Sequence, residues 1–194
     1  MIAYLNGIYT YKSPAVVHME VNGVGYEVQI SLNTYTHIQN LDKGILYTWL
    51  QVKEDAHVLF GFFDKAEKEI FLHLISVTGI GATTARMMLS SVQPTELQNA
   101  IVKGDERLLE GIKGIGKKTA QRLILELKEK LTKYSNDSNI SPLTYNSLEQ
   151  DALNALMALG IARPAAENAI KKVRSVNPGI TEVEALIKKV LQAL

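Results

Sequence analysis

The sequence predicts a multidomain α+β protein in which a β-barrel is followed by a helical region and a small helical module. Residues 1–63 are rich in β-branched and aromatic residues and in turn signals, and residues 64–133 contain a repeated helix-Gly-x-Gly-helix pattern. Residues 148–194 again have helical apolar spacing. Residues 134–147 are polar, rich in Ser and Asn and without a period, which predicts a flexible linker between the last two domains.

The composition is that of a soluble globular protein. Hydrophobic residues make up 46% of the 194 residues, and charged residues make up 21%. There is no cysteine, which excludes disulfides, thiolate zinc sites and iron–sulfur clusters, and the 4 histidines lack ligand spacing. No apolar run approaches the roughly 20 residues that span a bilayer, and the N-terminus lacks the features of a signal peptide. We therefore expect a cytoplasmic protein with neither a metal nor another cofactor.

Positive charge is concentrated in the middle of the chain. The formal net charge is only +1, composed of −2 over residues 1–63, +3 over residues 64–134 and 0 over residues 135–194. This distribution predicts that any contact with nucleic acid is local and lies in the middle region.

The N-terminal region is predicted to form five or six short strands. Asn22-Gly23 indicates a tight hairpin because both residues tolerate positive φ, and Gly25 is expected at a β-bulge. The expected strands, with a helical turn at 32–38, are 2–11, 15–21, 24–30, 45–53 and 56–62. This number and length are typical of a small barrel such as an OB-fold. Glu54 and Asp55 form the tip of the last hairpin, where adjacent carboxylates are ordinarily a solvated turn.

A glycine-rich turn separates two predicted helices in the middle region. One helix is expected to end near Gly111, and the next is expected to begin near Lys117. The intervening Gly114-Ile115-Gly116 permits a sharp turn, and the new helix presents free N–H groups and the positive end of its dipole. Together with Lys117 and Lys118, these groups predict an anion site whose natural ligand is a nucleic-acid phosphate.

Two other interpretations apply to this turn taken alone. It is an ordinary helix corner with two solvated lysines, or it is a phosphate-binding P-loop, whose spacing residues 111–117 fit. A P-loop needs Ser or Thr at the next position to hold magnesium, and that position is Lys118. It also follows a buried strand, whereas residues 106–110 have helical spacing, so we reject the P-loop.

The same pattern occurs 35 residues earlier in the chain, after a helix that Asp64 and Glu67 are expected to open as a capping box. The aligned positions are Gly79 with Gly114, Ile80 with Ile115, Gly81 with Gly116, Thr84 with Thr119, and Ala85 with Ala120. Tandem repetition favours a paired binding motif over an isolated corner. The first copy has Ala82 and Thr83 where the second has lysines, so we expect it to bind more weakly.

Three short helices are predicted in the C-terminal region. The first spans residues 148–159 and is closed by Gly160. Pro164 fits the first turn of the second helix, and residues 181–184 fit a capping box that opens the third. A domain of this size is marginal in stability and is better suited to docking on a partner than to catalysis.

The tandem turn resembles the helix-hairpin-helix motif, which binds DNA phosphates through hairpin amides without reading sequence. Over its whole length the chain resembles the RuvA family, the Holliday-junction-binding subunits of the bacterial branch-migration machine, whose C-terminal module is UBA-like. The stretches that carry the resemblance are Met1-Ile2, Val21-Asn22-Gly23-Val24-Gly25-Tyr26-Glu27-Val28, Lys53-Glu54-Asp55-Ala56, Leu59-Phe60-Gly61-Phe62 and Gly114 to Ala120.

This resemblance implies a subunit that is not itself an enzyme and that binds four-way DNA junctions in an open square form. It implies a homotetramer, or two tetramers on one junction, with the RuvB hexameric ATPase on the C-terminal module and a RuvC-type resolvase as a further partner. Glu54 and Asp55 match the family's acidic pin at the junction centre, and Thr83 stands where many members have a basic residue. The implied DNA-binding residues are Thr78, Gly79, Ile80, Gly81, Thr83, Gly114, Ile115, Gly116, Lys117, Lys118, Thr119 and Arg122.

Two alternative functions share the helix-hairpin-helix. A base-excision glycosylase or lyase needs an Asp on a later helix, and the nearest candidate, Asp137, falls in the predicted linker. A nuclease-associated DNA-binding scaffold has the same DNA-binding surface but leaves the C-terminal module without a role. Copurification with a hexameric ATPase distinguishes that scaffold from a branch-migration subunit.

Overall fold

A computed structural model of the chain describes residues 1–138 and 147–193. The chain forms two compact units, Met1–Ser138 and Asn139–Leu194. Most of the predicted linker at 134–147 lies outside the described residues. Residues 134–138, however, are helical, because the last helix of the first unit continues to Ser138. That helix also includes position 137, so Asp137 belongs to a helix and not to a linker.

The strands of the first unit close into a barrel. They are β1 (Tyr4–Lys12), β2 (Val16–Val21), β3 (Val24–Ile30), β4 (Lys43–Val52) and β5 (His57–Phe62). Their order around the barrel is β1-β2-β3-β5-β4. Neighbouring strands are antiparallel except β3 and β5, which pair in parallel with Val28 opposite Leu59. The predicted five-stranded, OB-like barrel is therefore confirmed.

Alternation along the strands places the barrel core. Val17 and Met19 are fully buried, whereas the intervening His18 is partly exposed. The Asn22-Gly23 hairpin is confirmed, with φ of 50° and 82° at the two residues. The bulge expected at Gly25 is wrong, because β2 and β3 pair in continuous register there. The register shift lies instead in β1, between Tyr9 and Tyr11.

Six helices of the first unit lie within the described residues, and the second of them packs on the last two strands of the barrel. They are α1 (Leu32–Ile38), α2 (Lys65–Ile75), α3 (Ala82–Ser91), α4 (Pro94–Lys103), α5 (Glu106–Glu110) and α6 (Lys117–Ser138). Phe62 of β5 and Phe71 of α2 have ring centroids 4.8 Å apart, and both belong to the core that also contains Leu123 and Leu127 of α6. Barrel and helices therefore share buried apolar surface, which fixes the helical part relative to the barrel.

The start of α2 matches the predicted capping box only in part. Asp64 is the N-cap, and its Oδ1 accepts a hydrogen bond from the N–H of Glu67 at 2.7 Å. The Glu67 side chain does not return to the N-cap as a capping box requires. It is fully buried and accepts hydrogen bonds from Ser31 and Thr34 instead.

The second unit contains three helices with a core of their own. They are α7 (Ser147–Ala158), α8 (Arg163–Val176) and α9 (Val183–Ala193). Gly160, with φ of 89°, follows α7, and the N–H of Ile161 donates to the carbonyl of Leu156 at 3.1 Å, as in a helix C-terminal cap. The predicted three-helix module is confirmed. In the described parts of both units, no helix is long and apolar enough to cross a membrane.

Candidate nucleic-acid interface

Two turns of the first unit, the first hairpin (residues 76–81) and the second hairpin (residues 111–116), have the same backbone. Gly79 and Gly114 have φ of 96° and 91°, a region that glycine adopts without steric cost. In both hairpins the N–H of the next isoleucine donates to a carbonyl three residues earlier. These bonds are Ile80 to Val77 at 3.1 Å and Ile115 to Ile112 at 3.0 Å. The tandem helix-hairpin-helix predicted from the 35-residue repeat is thus present in the structure.

An isoleucine holds each hairpin on the helical core. Ile80 and Ile115 are each only 4% exposed and belong to the same apolar cluster. Their side chains are therefore unavailable to a ligand, and any contact that they make with DNA is confined to the main chain. The flanking glycines of both hairpins are exposed.

The N-termini of α3 and α6 present amides that no side chain caps. Gly81 is the N-cap of α3 and has no side chain with which to accept a hydrogen bond. Gly116 occupies the same position before α6, and the two carbonyls accept from Ala85 at 2.9 Å and from Ala120 at 3.0 Å. The N–H groups of Gly79, Gly81, Gly114 and Gly116 have no hydrogen-bond acceptor within residues 1–138 and 147–193. Such amides, with the helix dipole behind them, are suited to an oxyanion.

Charge distinguishes the two hairpins. Lys117 and Lys118 are exposed at the start of α6, and Lys113 is exposed within the second hairpin. In the part of the chain that the structure describes, none of the three is within ion-pair distance of a carboxylate. The equivalent positions of the first copy are Thr78, Ala82 and Thr83, of which Ala82 is buried. The second hairpin therefore carries the positive charge.

Sequence reasoning did not single out Lys113. The signal was available, because Lys113 aligns with Thr78 in the 35-residue repeat, and Thr78 was among the implied DNA-binding residues. Thr119 aligns with Thr84, and both are half-buried. The Thr119 N–H donates to the Gly116 carbonyl at 2.9 Å, so this amide is already used.

Arg122 connects the two copies of the motif. Its Nη1 donates to the carbonyl of Thr78 in the first hairpin at 3.0 Å, and its Nε lies 4.0 Å from Glu126 on the next turn of α6. The side chain is half-exposed. Its contact with DNA stays a prediction, but the structure assigns it an intramolecular contact that holds the first hairpin close to α6.

The first copy also has polar contacts with the barrel. On α3, Nη1 of Arg86 donates to the carbonyl of Ala15 at 2.9 Å and to the side-chain oxygen of Gln29 at 2.7 Å. Burial lowers the pKa of the Arg86 guanidinium, as expected for a cation drawn out of water by this packing. One turn later, Ser90 Oγ accepts from the N–H of Leu32 at 3.0 Å.

Glu54 and Asp55 lie at the tip of the β4–β5 hairpin. The turn is closed by the Lys53 N–H, which donates to the Ala56 carbonyl at 2.8 Å, and Val52 pairs with His57 at its base. Both carboxylates are exposed. Among the described residues, neither takes part in a hydrogen bond or an ion pair, so two uncompensated negative charges project from the barrel.

The chain matches three family models that together span nearly all of it. Residues 1–61 match the RuvA N terminal domain, residues 71–129 match a SAM-like helix-hairpin-helix tandem, and residues 147–194 match the RuvA C-terminal domain. Proteins named Holliday junction branch migration complex subunit RuvA are similar over the full length. The chain is 47% identical to that of Flavobacterium psychrophilum and 45% identical to that of Christiangramia forsetii, with 100% of both chains covered in each case. It is 42% identical to that of Cytophaga hutchinsonii, with 99% of each chain covered.

The chain belongs to the RuvA family.

Each of the three matched family models covers a feature already described. The N-terminal match includes the barrel with Glu54 and Asp55, and the tandem match includes both hairpins and Arg122. The C-terminal match includes α7, α8 and α9. Full-length similarity to RuvA proteins does not favour a glycosylase or a free-standing scaffold.

Proposed function

We propose that the chain is the DNA-binding subunit of a Holliday junction branch migration complex and has no catalytic activity of its own. In this function it binds a four-way DNA junction in an open square form. The observation that carries the proposal is the pair of equivalent hairpins, each with uncapped amides at the start of a helix. The RuvA names of the full-length relatives support the same substrate.

Contacts of this kind suit a ligand that is recognised by its shape. Amides and lysines bind phosphates and therefore position DNA without reading its bases. A four-way junction has a characteristic shape but no fixed sequence. Two phosphate-binding elements at a constant separation are therefore sufficient to recognise it. We assign contacts with the DNA arms to the two hairpins, with Lys117 and Lys118 on phosphates and Lys113 added to them.

The Glu54–Asp55 tip has the opposite role in this proposal. Exposed carboxylates repel phosphates, at a cost on the order of 1 kcal/mol for a charge pair several Å apart in a watery setting. In the proposed homotetramer, the tips of the four subunits lie around the four-fold axis, at the point where the four DNA strands exchange. Repulsion there favours separated strands and disfavours continuous duplex, which is how a negative charge raises selectivity.

Two exposed apolar surfaces support the proposed protein partners. Tyr4 and Ile8 of β1 and Ile45 of β4 leave an exposed apolar strip on the outer face of the barrel, suited to self-association as a homotetramer or as two stacked tetramers. In the second unit, Leu159 and Leu191 are exposed apolar residues that fit docking of the RuvB ATPase. A RuvC-type resolvase is a further proposed partner on the same junction, and we place the complex in the cytoplasm.

A gel-shift comparison of a four-way junction, duplex and single strand at one salt concentration tests this function. We expect the junction to bind most tightly, without ATP. The double variant Glu54→Gln with Asp55→Asn should bind duplex more tightly and the junction little differently, so that the ratio of junction to duplex affinity falls. Equal wild-type affinity for junction and duplex contradicts the proposal. A ratio that is unchanged or increased in the variant would show that Glu54 and Asp55 form an ordinary solvated turn with no role in selectivity.

Removal of the second unit tests the proposed division of labour. The chain should be truncated after Ser138, because an earlier truncation would shorten α6. The first unit is compact by itself, so the shortened chain should still bind junctions. It should fail to stimulate ATP-driven branch migration by RuvB. Loss of junction binding while the barrel stays folded would show that the second unit is part of the DNA-binding surface.

A further inference from the structure

Glu67 is a buried carboxylate for which DNA binding provides no explanation. It lies in the first turn of α2, and it is 0% exposed. No cation lies within ion-pair distance of it in the described part of the chain. Burial of an ionisable group without a counter-charge opposes folding unless hydrogen bonds compensate for it. Contacts of the Glu67 side chain must therefore compensate for the free-energy cost of its burial.

Both carboxylate oxygens of Glu67 accept hydrogen bonds from the barrel's helical connection. Ser31 Oγ donates to Oε1, and Thr34 Oγ1 donates to Oε2 at 2.6 Å. Each hydroxyl also accepts a main-chain N–H, from Thr34 to Ser31 Oγ and from Phe63 to Thr34 Oγ1, both at 3.0 Å. The network is complete, since no buried side-chain polar atom of the described residues lacks a partner. It joins α1, the end of β5 and α2 at one point.

This point controls the direction of the helix that leads into the first hairpin. From Glu67 to the end of α2 at Ile75 the helix rises roughly 12 Å at 1.5 Å per residue. A tilt of about 10° at its first turn therefore moves its far end by roughly 2 Å. A hydrogen bond to phosphate does not tolerate such a displacement. The Arg86 and Ser90 contacts hold α3, the helix on the other side of the hairpin, to the same barrel.

We infer that Glu67 is a positioning residue that fixes the first hairpin relative to the Glu54–Asp55 tip and thereby sets the preference for junction over duplex. The inference rests on the proposed function. A duplex can shift on the hairpins to avoid the repulsive tip, whereas an open junction must fit the hairpins and the tip of the barrel at the same time. Looser attachment of α2 therefore weakens junction binding more than duplex binding.

Glutamine is the sharpest substitution because it keeps the shape of Glu67. Its Nε2 is a donor, so it opposes one of the two hydroxyls that now donate to the carboxylate. Thr34→Val removes one donor and the acceptor for the Phe63 N–H at nearly constant volume, and Thr34→Ser retains the hydroxyl. Val17→Ala is the matched control, since Val17 is fully buried in the barrel and absent from the network.

The test measures junction and duplex affinities of these full-length variants at one salt concentration, with the thermal midpoint of each. We expect the affinity ratio to fall about tenfold in Glu67→Gln and in Thr34→Val, the factor for one hydrogen bond to a charged group. Thr34→Ser and Val17→Ala should keep the wild-type ratio, although Val17→Ala lowers the midpoint. An unchanged ratio in both network variants, or an equal fall in Val17→Ala, would overturn the inference.

A distance measurement separates this inference from the proposed function. The chain has 0 cysteines, so Lys53→Cys with Thr83→Cys introduces two unique labelling positions, one beside the tip and one beside the first hairpin. Without DNA, the distribution of label distances should broaden when Glu67→Gln is added and should stay narrow when Val17→Ala is added. A narrow distribution in Glu67→Gln contradicts positioning. A wild-type chain without junction preference contradicts only the proposed function.

Discussion

The first and second hairpins share a backbone but differ in what surrounds it. Gly79 and Gly114 have nearly the same φ, and both hairpins rest on a buried isoleucine. Polar contacts from α2 and α3 attach the first hairpin to the barrel. The second hairpin and the start of α6 carry three exposed lysines, whereas the first hairpin and the start of α3 carry none. The two copies of the repeat therefore share one backbone geometry, while the first copy is attached to the barrel and the second carries the charge.

Arg122 makes the two copies one surface. Its contact with the Thr78 carbonyl joins α6, which follows the second hairpin, to the first hairpin. The barrel therefore fixes the first hairpin, and the first hairpin constrains the second. Under the proposed function, the first hairpin determines where the DNA lies, and the second supplies most of the affinity.

Distortion of the hairpin backbone should have the largest effect. Valine at Gly114 or at Gly79 must adopt a positive φ, which costs about 1–3 kcal/mol of stability. Junction affinity should fall on the order of a hundredfold for Gly114→Val, since amides and lysines are displaced together, and about tenfold for Gly79→Val. Affinity is measured by fluorescence anisotropy and stability by thermal unfolding.

Gly160→Val is the matched control for both hairpin variants. Gly160 also has positive φ, 89°, and a Cβ there meets no atom within 4 Å, but it lies in the second unit. It should lose comparable local stability and keep full junction affinity. Equal affinity losses for Gly79→Val and Gly114→Val would remove the asymmetry between the hairpins.

Removal of charge from the second hairpin should have the next largest effect. Lys117→Ala with Lys118→Ala keeps the helix and removes two cations, so junction affinity should fall at least about tenfold at moderate salt. The control is Lys171→Ala with Lys172→Ala, an equally adjacent and exposed pair on α8. Electrophoretic titration of a labelled junction measures both. A similar loss from the control pair would indicate attraction by net charge and not by the hairpin.

Addition of charge to the first hairpin should have the smallest effect. Thr83 is exposed at the position equivalent to Lys118, so Thr83→Lys places a cation on the same backbone frame. Junction affinity should rise about two- to fivefold at low salt and less at high salt, because an exposed ionic contact contributes roughly 1 kcal/mol at most. Unchanged affinity at low salt would mean that the first hairpin lies too far from phosphate to use the charge.

Local patterns predicted the parts of the fold that depend on a few neighbouring residues. The Gly-x-Gly repeat predicted both hairpins, and Asn22-Gly23 predicted the turn between β2 and β3, because few residues adopt a positive φ. The parallel pairing of β3 with β5 joins strands that are distant in sequence, and no local pattern encodes it. The end of α6 was also missed, because residues 132–138 are polar and lack apolar periodicity.

Sequence patterns did not identify the side chains whose role depends on tertiary contacts. Glu67 fits a capping box as well as it fits an inward position, and only the hydroxyls of Ser31 and Thr34 distinguish the two. The contact of Arg122 with Thr78 likewise depends on how the two copies pack. Lys113 could have been found from sequence by extending the repeat alignment one position before the first glycine.

The salt dependence of junction affinity tests most directly the claim that the second hairpin supplies the charged contacts. The slope of log affinity against log salt counts the phosphates that cations neutralise, about one unit for each lysine. It should be measured for the wild type, for Lys117→Ala with Lys118→Ala, and for Thr83→Ala. We expect a slope that is smaller by about two units per contacting subunit in the lysine variant and unchanged in Thr83→Ala. Equal slopes in all three proteins, or equal reductions in both variants, would contradict it.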